Sequence, residues 1–179
     1  MTPTTGEVYW AVVPSTPQAP FQVFVKDKPP VEVPDAKTII DGLRGGGAEL
    51  RFVVEAKARP VLLLSERMDP STGDLFGLRL VRLSALDEDE AQQVREQRQP
   101  GLFHLKPERF PDLEEECAAM ISAPIRLHET AVDTGNPLGR LDQNEMRVLS
   151  ERFVSYWELD LHQLLIGKIR ELLRKRESP

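Results

Sequence analysis

The chain has 179 residues, of which 40% are hydrophobic and 29% charged, enough apolar side chain for one folded domain with its own core. Its 23 basic and 29 acidic residues give a formal charge of −6, which argues against a protein that coats nucleic acid by charge alone. The single cysteine, Cys117, excludes an intramolecular disulfide, and no apolar stretch approaches the roughly 18 residues that would span a bilayer. The N-terminus also lacks a basic start followed by an apolar run, so we expect a cytoplasmic protein with no membrane partner.

Metal and nucleotide motifs are missing from the sequence. His104, His128 and His162 are widely separated and are not accompanied by clustered cysteines or an HExxH pattern. The glycine triplet at 45–47 has neither the Lys-Ser/Thr ending of a phosphate-binding loop nor the GxGxxG spacing, so it indicates an ordinary loop. We therefore expect no metal and no cofactor.

The first 55 residues predict short strands and one helix. Residues 6–13 are rich in β-branched and aromatic types and predict a first strand, and 21–25 with the following VEV predict a small hairpin. Asp35 is placed to cap a helix carrying Ile39, Ile40 and Leu43. A further strand is predicted at about 49–55.

The central part of the chain predicts the core of a sheet. Residues 60–65 form a continuous apolar run, typical of a strand that is covered on both faces. After a turn at 69–74, the stretch LFGLRLVRLSAL alternates for most of its length and predicts a strand with one solvated face. Arg79 and Arg82 lie an odd number of positions apart on it, so strict alternation would point them to opposite faces.

The C-terminal half predicts three helices and further short strands. Asp87 and Glu90 form the start signal of a polar helix that ends near Arg98 and, having a thin apolar stripe, packs weakly if at all. Short strands are expected at 102–105, about 115–121 and about 125–128, and helices at 143–156 and about 160–175.

Four segments together resemble one known protein family. GEVYW at 6–10, RPVLLLSE at 59–66, the strand ending in LSAL at 83–86, and GRLDQNEM at 139–146 occur in the order found in the MazF/PemK-type toxin family. The resemblance covers about 6–14 and 59–160. It implies an α+β fold, a small and mainly antiparallel SH3-like β-barrel with C-terminal helices, that forms a homodimer.

This chain departs from the family in two places. Between the first strand and Arg59 it carries an insertion, at about 15–58, that includes a hairpin and a helix, and its last helix extends to about 160–176. We therefore expect a single MazF/PemK-like domain over 1–179 with these two additions.

The resemblance also implies an activity. Family members are metal-independent endoribonucleases that cut single-stranded RNA by attack of the 2′-hydroxyl on the neighbouring phosphate, and an antitoxin protein is their usual partner. The arginine before the Pro-Val strand and the hydroxyl residue ending the next strand correspond to Arg59 and Ser84. A fixed guanidinium at Arg59 would stabilise the charge that builds on the phosphate, and Ser84 would position it.

A proton acceptor is harder to find. Some relatives use a carboxylate and an arginine from the strand that corresponds roughly to 117–124, but CAAMISAP supplies neither. His128, or less favourably Glu129, is a candidate base because the pair lies just beyond that segment and a histidine titrates near neutrality.

Two alternatives stay open at this stage. The missing acid/base pair and the acidic charge favour a non-catalytic interaction module on the same barrel, with the insertion making the partner contacts. A gyrase-directed toxin of the CcdB type is the other alternative, although no matching tail motif is present. Tyr9 and Trp10 are candidates for base stacking, and we expect at least one of them to lie in the core.

Overall fold

The computed structural model describes residues 3–24, 29–43, 51–69 and 72–158. The predicted glycine loop at 45–47 and the predicted last helix at about 160–175 lie outside these residues. The chain divides into two compact units. The smaller unit consists of residues 12–59 and the larger unit of 1–11 with 60–179.

The described strands come in runs that are separated by single helices, in an α+β arrangement. The strands are β1 Glu7–Pro14, β2 Phe21–Phe24, β3 Val31–Val33, β4 Arg51–Phe52, β5 Ala56–Asp69, β6 Asp74–Arg82, β7 Leu102–Leu105, β8 Cys117–His128 and β9 Gly139–Arg140. The helices are α1 Ala36–Leu43, α2 Glu88–Arg95 and α3 Gln143–Tyr156. Among the described residues, no helix combines the length and the apolar character needed to cross a membrane.

The principal sheet is mostly antiparallel and curled, forming a half-barrel, which confirms the predicted α+β class. Its strand order is β7-β8-β6-β5-β1-β9, so neighbours in the sheet are often distant in sequence. The antiparallel pairs β5/β6, β6/β8, β7/β8 and β1/β9 have defined registers. Register shifts in β5 and β6 mark bulges, which bend a sheet and increase its twist.

The core of the larger unit lies between this sheet and α3. Leu62, Leu78 and Ile121 on neighbouring strands are fully buried, and Leu149 of α3 is buried against the same cluster. Phe153, one turn further along α3, contacts Phe76 edge to face with ring centroids 5.9 Å apart. Leu149 and Phe153 therefore lie on the face that joins α3 to the sheet.

The smaller unit contains the predicted hairpin and helix. Strands β2 and β3 pair antiparallel, β4 adds to the other edge of β2, and Asp35 accepts a hydrogen bond from the backbone N–H of Thr38 at 2.7 Å to start α1. Of the strand expected at 49–55, residues 51–55 are described, and among them only Arg51–Phe52 pair. Residues 12–59 include the segment predicted to be an insertion, at about 15–58.

Helix α2 packs against the sheet, so the expectation that it packs weakly was wrong. Its two apolar residues, Ala91 and Val94, are both buried. They pack in a cluster with Leu83, Leu102 and Ala118. A thin stripe sufficed because the neighbouring positions on the sheet are small or already apolar. The polar face of α2 stays in solvent.

Three strand boundaries also differ from the predictions. The two strands expected at about 115–121 and 125–128 are one continuous strand, β8, which contains Pro124 opposite Leu78. Strand β5 is longer than the apolar run at 60–65 that predicted it. Strand β6 ends at Arg82, and the residues Leu83–Ala85 that were expected to continue it form a 3₁₀ turn.

Candidate functional site

Ser84 lies where β6 leaves the sheet. The antiparallel register pairs Arg82 with Cys117, and the backbone N–H of Leu83 donates to the carbonyl of Glu116 at 2.9 Å. The chain then turns through the 3₁₀ segment Leu83–Ala85, which leaves the Ser84 side chain exposed at the edge of the sheet. The pairing of β6 with β8 thus places Ser84 beside the residues that precede β8.

One carboxylate in that segment contacts both Ser84 and an arginine. The hydroxyl of Ser84 donates to Oε2 of Glu115 at 2.5 Å, and Nη1 of Arg82 lies 2.8 Å from Oε1 of the same carboxylate. A carboxylate is a chemically competent general base, a guanidinium stabilises phosphate charge, and a hydroxyl orients either group. A base and a fixed cation of these types can serve in metal-free cleavage of a phosphodiester.

A second charged network lies immediately beside the first. Glu116 accepts hydrogen bonds from Nε of Arg95 at 3.1 Å and from Nη2 at 2.9 Å, and Nε2 of His104 lies 2.7 Å from its other oxygen. The hydrogen bonds from Arg95 lower the pKa of Glu116, with a smaller contribution from His104. The same contact raises the pKa of Arg95. This network joins α2 to β7 and to the start of β8.

A cleft of about 200 Å³ opens beside Glu115. Its walls come from the loop after β7 and from the residues that lead into β8: Leu105, Pro107, Phe110, Pro111, Leu113, Glu114, Glu115, Glu116 and Cys117. Burial raises the pKa of the Cys117 thiol, which donates to the carbonyl of Glu115 at 3.3 Å. Space for part of a ligand is therefore present next to the carboxylate that holds Ser84.

Arg59, the arginine implied by the family resemblance, lies in β5 and is the last residue of the smaller unit. Its side chain is exposed. It lies two positions before Val61, whose Cα pairs with that of Arg79. The catalytic role of Arg59 stays a prediction.

His128 lies at the other end of β6 from Ser84. The Cα of His128 pairs with that of Asp74, the first residue of β6, whereas Ser84 comes two residues after the last one, Arg82. Strand β6 is about 27 Å long at 3.4 Å per residue, so the two side chains lie at opposite ends of it. Nδ1 of His128 accepts from the backbone N–H of Thr130 at 3.2 Å and lies 2.8 Å from the Thr130 hydroxyl. The ring nitrogen that would act as a base is thus already an acceptor, and the structure does not bring His128 together with Ser84. Its neighbour Glu129 begins a 3₁₀ turn at the same end of β6.

Tyr9, Trp10 and Arg79 differ in their exposure to solvent. Tyr9 is buried and Trp10 is 40% exposed, which confirms that one of the pair belongs to the core. Arg79 is half-buried, and its Nε has no hydrogen-bond partner among the described residues. No group of three or more His, Cys, Asp or Glu side chains within the described residues is arranged to hold a metal ion.

The sequence did not indicate Glu115, and it indicated Arg82 only as a residue of the strand and not as a partner of Glu115. The family resemblance indicates a carboxylate and an arginine within 117–124. In the structure Glu115 lies two positions before that segment, and Arg82 is on a different strand, β6. The run of three glutamates at 114–116 was the available signal. It becomes informative only when β8 is known to pair with β6.

No protein-family model matches the chain, and no curated protein matches it. Among solved structures, the chain is similar to an endoribonuclease in complex with its cognate antitoxin from Mycobacterial species. The two are 15% identical, with a TM-score of 0.43, over 88% of this chain and 95% of that chain. A likeness this distant carries no argument about function, which the residues of the site have to supply.

Proposed function

We propose that this chain is a metal-independent endoribonuclease that acts on single-stranded RNA, of the kind found in the MazF/PemK-type toxin family. Support comes first from where the four resembling segments lie. GEVYW forms the start of β1, RPVLLLSE lies within β5, LSAL follows β6, and GRLDQNEM contains β9 and the first turn of α3. Three of the four are therefore parts of one sheet and its helix, and LSAL directly follows a strand of that sheet.

The observation that carries the proposal is the contact of Glu115 with Ser84 and Arg82. The main sequence argument against catalysis was that 117–124 contains no carboxylate. In this proposal Glu115, two positions before that segment, supplies it. In the proposed reaction it takes the proton of an RNA 2′-hydroxyl, and the 2′ oxygen forms a bond to the adjacent phosphorus. The bond from phosphorus to the 5′ oxygen breaks, that oxygen takes a proton from water, and Glu115 gives its own proton back to the resulting hydroxide. The products are a cyclic phosphate and a free 5′-hydroxyl.

The other two side chains have supporting roles in this scheme. Arg82 presents a planar guanidinium to the phosphoryl oxygens, on which negative charge builds as the 2′ oxygen attacks. Ser84 donates to Glu115 in the free protein and orients either the base or a phosphate oxygen when RNA is bound. Arg59 is a separate proposal, which rests on the family resemblance alone.

The site is suited to mutational testing because it contributes little to folding. The side chains of Arg82 and Glu115 are 62% and 38% exposed, and an exposed ion pair typically stabilises a protein by less than about 1 kcal/mol. Replacing Glu115 should therefore leave the fold intact. A loss of activity in such a variant reports on chemistry rather than on unfolding.

The decisive experiment measures cleavage of single-stranded RNA in the presence of a chelator by the full-length protein. Glu115→Gln keeps the size of the side chain but removes the base, so we expect cleavage to slow by about 100-fold or more. Glu108→Gln is the matched control, because Glu108 is exposed, does not line the cleft beside Glu115 and forms none of the described contacts to Ser84. The wild-type products should carry cyclic phosphate and 5′-hydroxyl ends.

Two results would contradict this assignment. Equal cleavage by the Glu115 and Glu108 variants would remove Glu115 from the reaction. Loss of wild-type cleavage in chelator, with recovery on adding a divalent cation, would show that the reaction depends on a metal. Circular dichroism of both variants controls for folding.

An antitoxin partner and a homodimer are part of the same proposal, by the family resemblance. Sedimentation velocity at micromolar concentration tests the dimer, and co-purification with the product of a neighbouring short reading frame tests the antitoxin. Neither is needed for the Glu115 assay.

The exposed apolar side chains of the smaller unit favour the second candidate function, an interaction module. Six of the large apolar residues that the structure describes in this unit are each at least 43% exposed: Val12, Phe24, Val31, Ile40, Phe52 and Val53. A small unit that exposes this much apolar surface is typical of a protein contact region. If the wild-type protein cuts no RNA under any condition, this function is the better account of the chain.

A further inference from the structure

A cleft of about 410 Å³ lies where β6, β7 and β8 meet the ends of α2 and α3. Most of the side chains on its walls are apolar, and one of them is aromatic: Val81, Leu86, Pro100, Leu102, Met120 and Tyr156. Glu90, Gln99 and Ser122 add polar groups, and Nε2 of Gln99 donates to Oε1 of Glu90 at 3.2 Å. The cleft is therefore suited to a ligand that has an apolar body and polar edges.

The Tyr156 ring is held in place at the edge of this cleft. It contacts the Trp157 ring edge to face, with ring centroids 5.6 Å apart, and Nε1 of Trp157 donates to the carbonyl of Ile121 in β8 at 2.9 Å. Tyr156 is nevertheless 40% exposed. An exposed ring whose orientation is already fixed can stack on a flat ligand with little further loss of conformational freedom.

Arg79 lies beside the cleft on β6. It is on the same face of the strand as Val81, because side chains two positions apart in a strand point to the same side. The register of β8 against β6 skips residues 120–123, so Arg79 lies opposite this bulge. Two residues of the bulge, Met120 and Ser122, line the cleft. Both neighbours of Arg79 in the sheet that could direct its side chain therefore belong to the cleft wall.

The guanidinium of Arg79 is unpaired within the part of the chain that the structure describes. Its Nε is shielded from solvent and has no hydrogen-bond partner there, although the residue as a whole is only half-buried. Every other arginine side chain that is described in the larger unit forms an ion pair or a hydrogen bond. A half-buried cation without a partner has lost part of its hydration and gained nothing in exchange. Arg79 is therefore suited to receive an anion, and the planar guanidinium matches the oxygens of a phosphate.

The cleft is also close to the proposed catalytic residues. Val81, on the cleft wall, comes three positions before Ser84, so their Cα atoms are at most about 11 Å apart. Leu86, on the same wall, comes two positions after Ser84. Proteins that hold single-stranded RNA contact several successive nucleotides. One RNA strand is therefore long enough to occupy the cleft and the site around Ser84 together.

We propose that this cleft and Arg79 bind one unpaired base of single-stranded RNA and its phosphate. The base stacks on Tyr156, and its N–H groups donate to Glu90 or Gln99 on the α2 wall. The carboxylate of Glu90 repels a phosphate, so the phosphate lies at Arg79 on the β6 side. This proposal rests on the proposed ribonuclease function, since it assigns a binding site for that substrate beside Ser84.

Binding of a non-cleavable RNA to the full-length protein tests the cleft separately from catalysis. The probe is a fluorescein-labelled, mixed-sequence single strand of about ten nucleotides, within the range of known single-strand sites. Its riboses are 2′-O-methylated and so lack the attacking hydroxyl, and fluorescence anisotropy in chelator measures the dissociation constant. A duplex of the same length and chemistry carries at least as many phosphates but keeps its bases paired. We expect the duplex to bind more weakly by about tenfold or more.

Two pairs of matched variants separate the phosphate contact from the base contact. Arg79→Gln should raise the dissociation constant by about tenfold, whereas Arg147→Gln, the same charge change on the exposed face of α3, should leave it unchanged. Tyr156→Ala should also raise it by about tenfold because it removes the stacking surface, whereas Tyr156→Phe keeps the ring and should bind like the wild type. Circular dichroism of all four variants verifies that the fold is kept.

The cleft and the ribonuclease function can fail separately in this experiment. If the wild type cuts RNA but Arg79→Gln and Tyr156→Ala bind the probe like their controls, the cleft does not hold the base, and the role of Glu115 is unaffected. If the wild type binds the probe with the expected variant effects but cuts no RNA, the ribonuclease function fails and the cleft stands as an RNA site. Equal binding of single strand and duplex overturns the proposal. So does the absence of any binding by the wild type, which would leave the cleft to a protein partner.

Discussion

Glu116→Gln should destabilise the protein, because Glu116 joins α2 to the sheet. The substitution weakens the two hydrogen bonds from Arg95 and the contact with His104, all of which the charged carboxylate makes. A hydrogen bond to a charged group contributes about 1.5–3 kcal/mol, and glutamine keeps one acceptor oxygen. The Glu116 side chain is 27% exposed, so solvent screens part of the interaction. We expect the free energy of unfolding to fall by about 1.5 kcal/mol.

The decrease in the free energy of unfolding caused by Glu116→Gln should depend on pH. The contact with Arg95 lowers the pKa of Glu116 in the folded state, so its stabilisation is complete above the unfolded pKa of about 4.3. That stabilisation disappears as the pH falls through the lowered, folded-state pKa. Wild type and Glu116→Gln should therefore differ most near neutrality and converge as the pH is lowered below about 4.

Urea unfolding followed by circular dichroism, repeated from neutral pH down to the acid limit of the folded state, measures both effects. Glu114→Gln is the control and should change the free energy of unfolding by less than about 0.5 kcal/mol, as expected for a surface site. A cost for Glu116→Gln that is the same at all pH values would refute the electrostatic account. So would the absence of any cost at neutral pH.

Three further predictions concern other parts of the chain. Arg59→Lys should slow RNA cleavage almost as much as Arg59→Ala, by about 100-fold, because an ammonium does not reproduce the bidentate guanidinium, and cleavage in chelator with unchanged circular dichroism checks this. Val94→Ala should lower the free energy of unfolding in urea by about 2 kcal/mol, because Val94 is fully buried between α2 and the sheet. Gly139→Ala should cost about 3 kcal/mol or more in the same assay, since Gly139 has a φ of +150° and a Cβ there would lie 2.3 Å from the carbonyl oxygen of Arg109.

The sequence by itself determined the elements whose signals are local. Helix α3 has the predicted limits because Asp142 and Glu145 form both hydrogen bonds of a capping box, at 2.8 and 3.0 Å. Helix α2 begins where Asp87 accepts from the backbone N–H of Glu90 at 2.8 Å. Strand β7 also has its predicted limits, Leu102–Leu105. Such signals act over three or four residues, so they can be read without knowing the fold.

Only the tertiary structure decided which residues share a site. Ser84 and Glu115 are 31 positions apart, and α2 and β7 lie between them in the sequence. They meet because β8 pairs with β6 and not only with β7, and the choice of partner strand depends on burial over the whole sheet. The same pairing places His128 at the far end of β6 from Ser84, although in sequence His128 is the nearest candidate base after 117–124. Local signals act over a few residues, whereas strand pairing, which is set by long-range packing, determined which distant residues are neighbours.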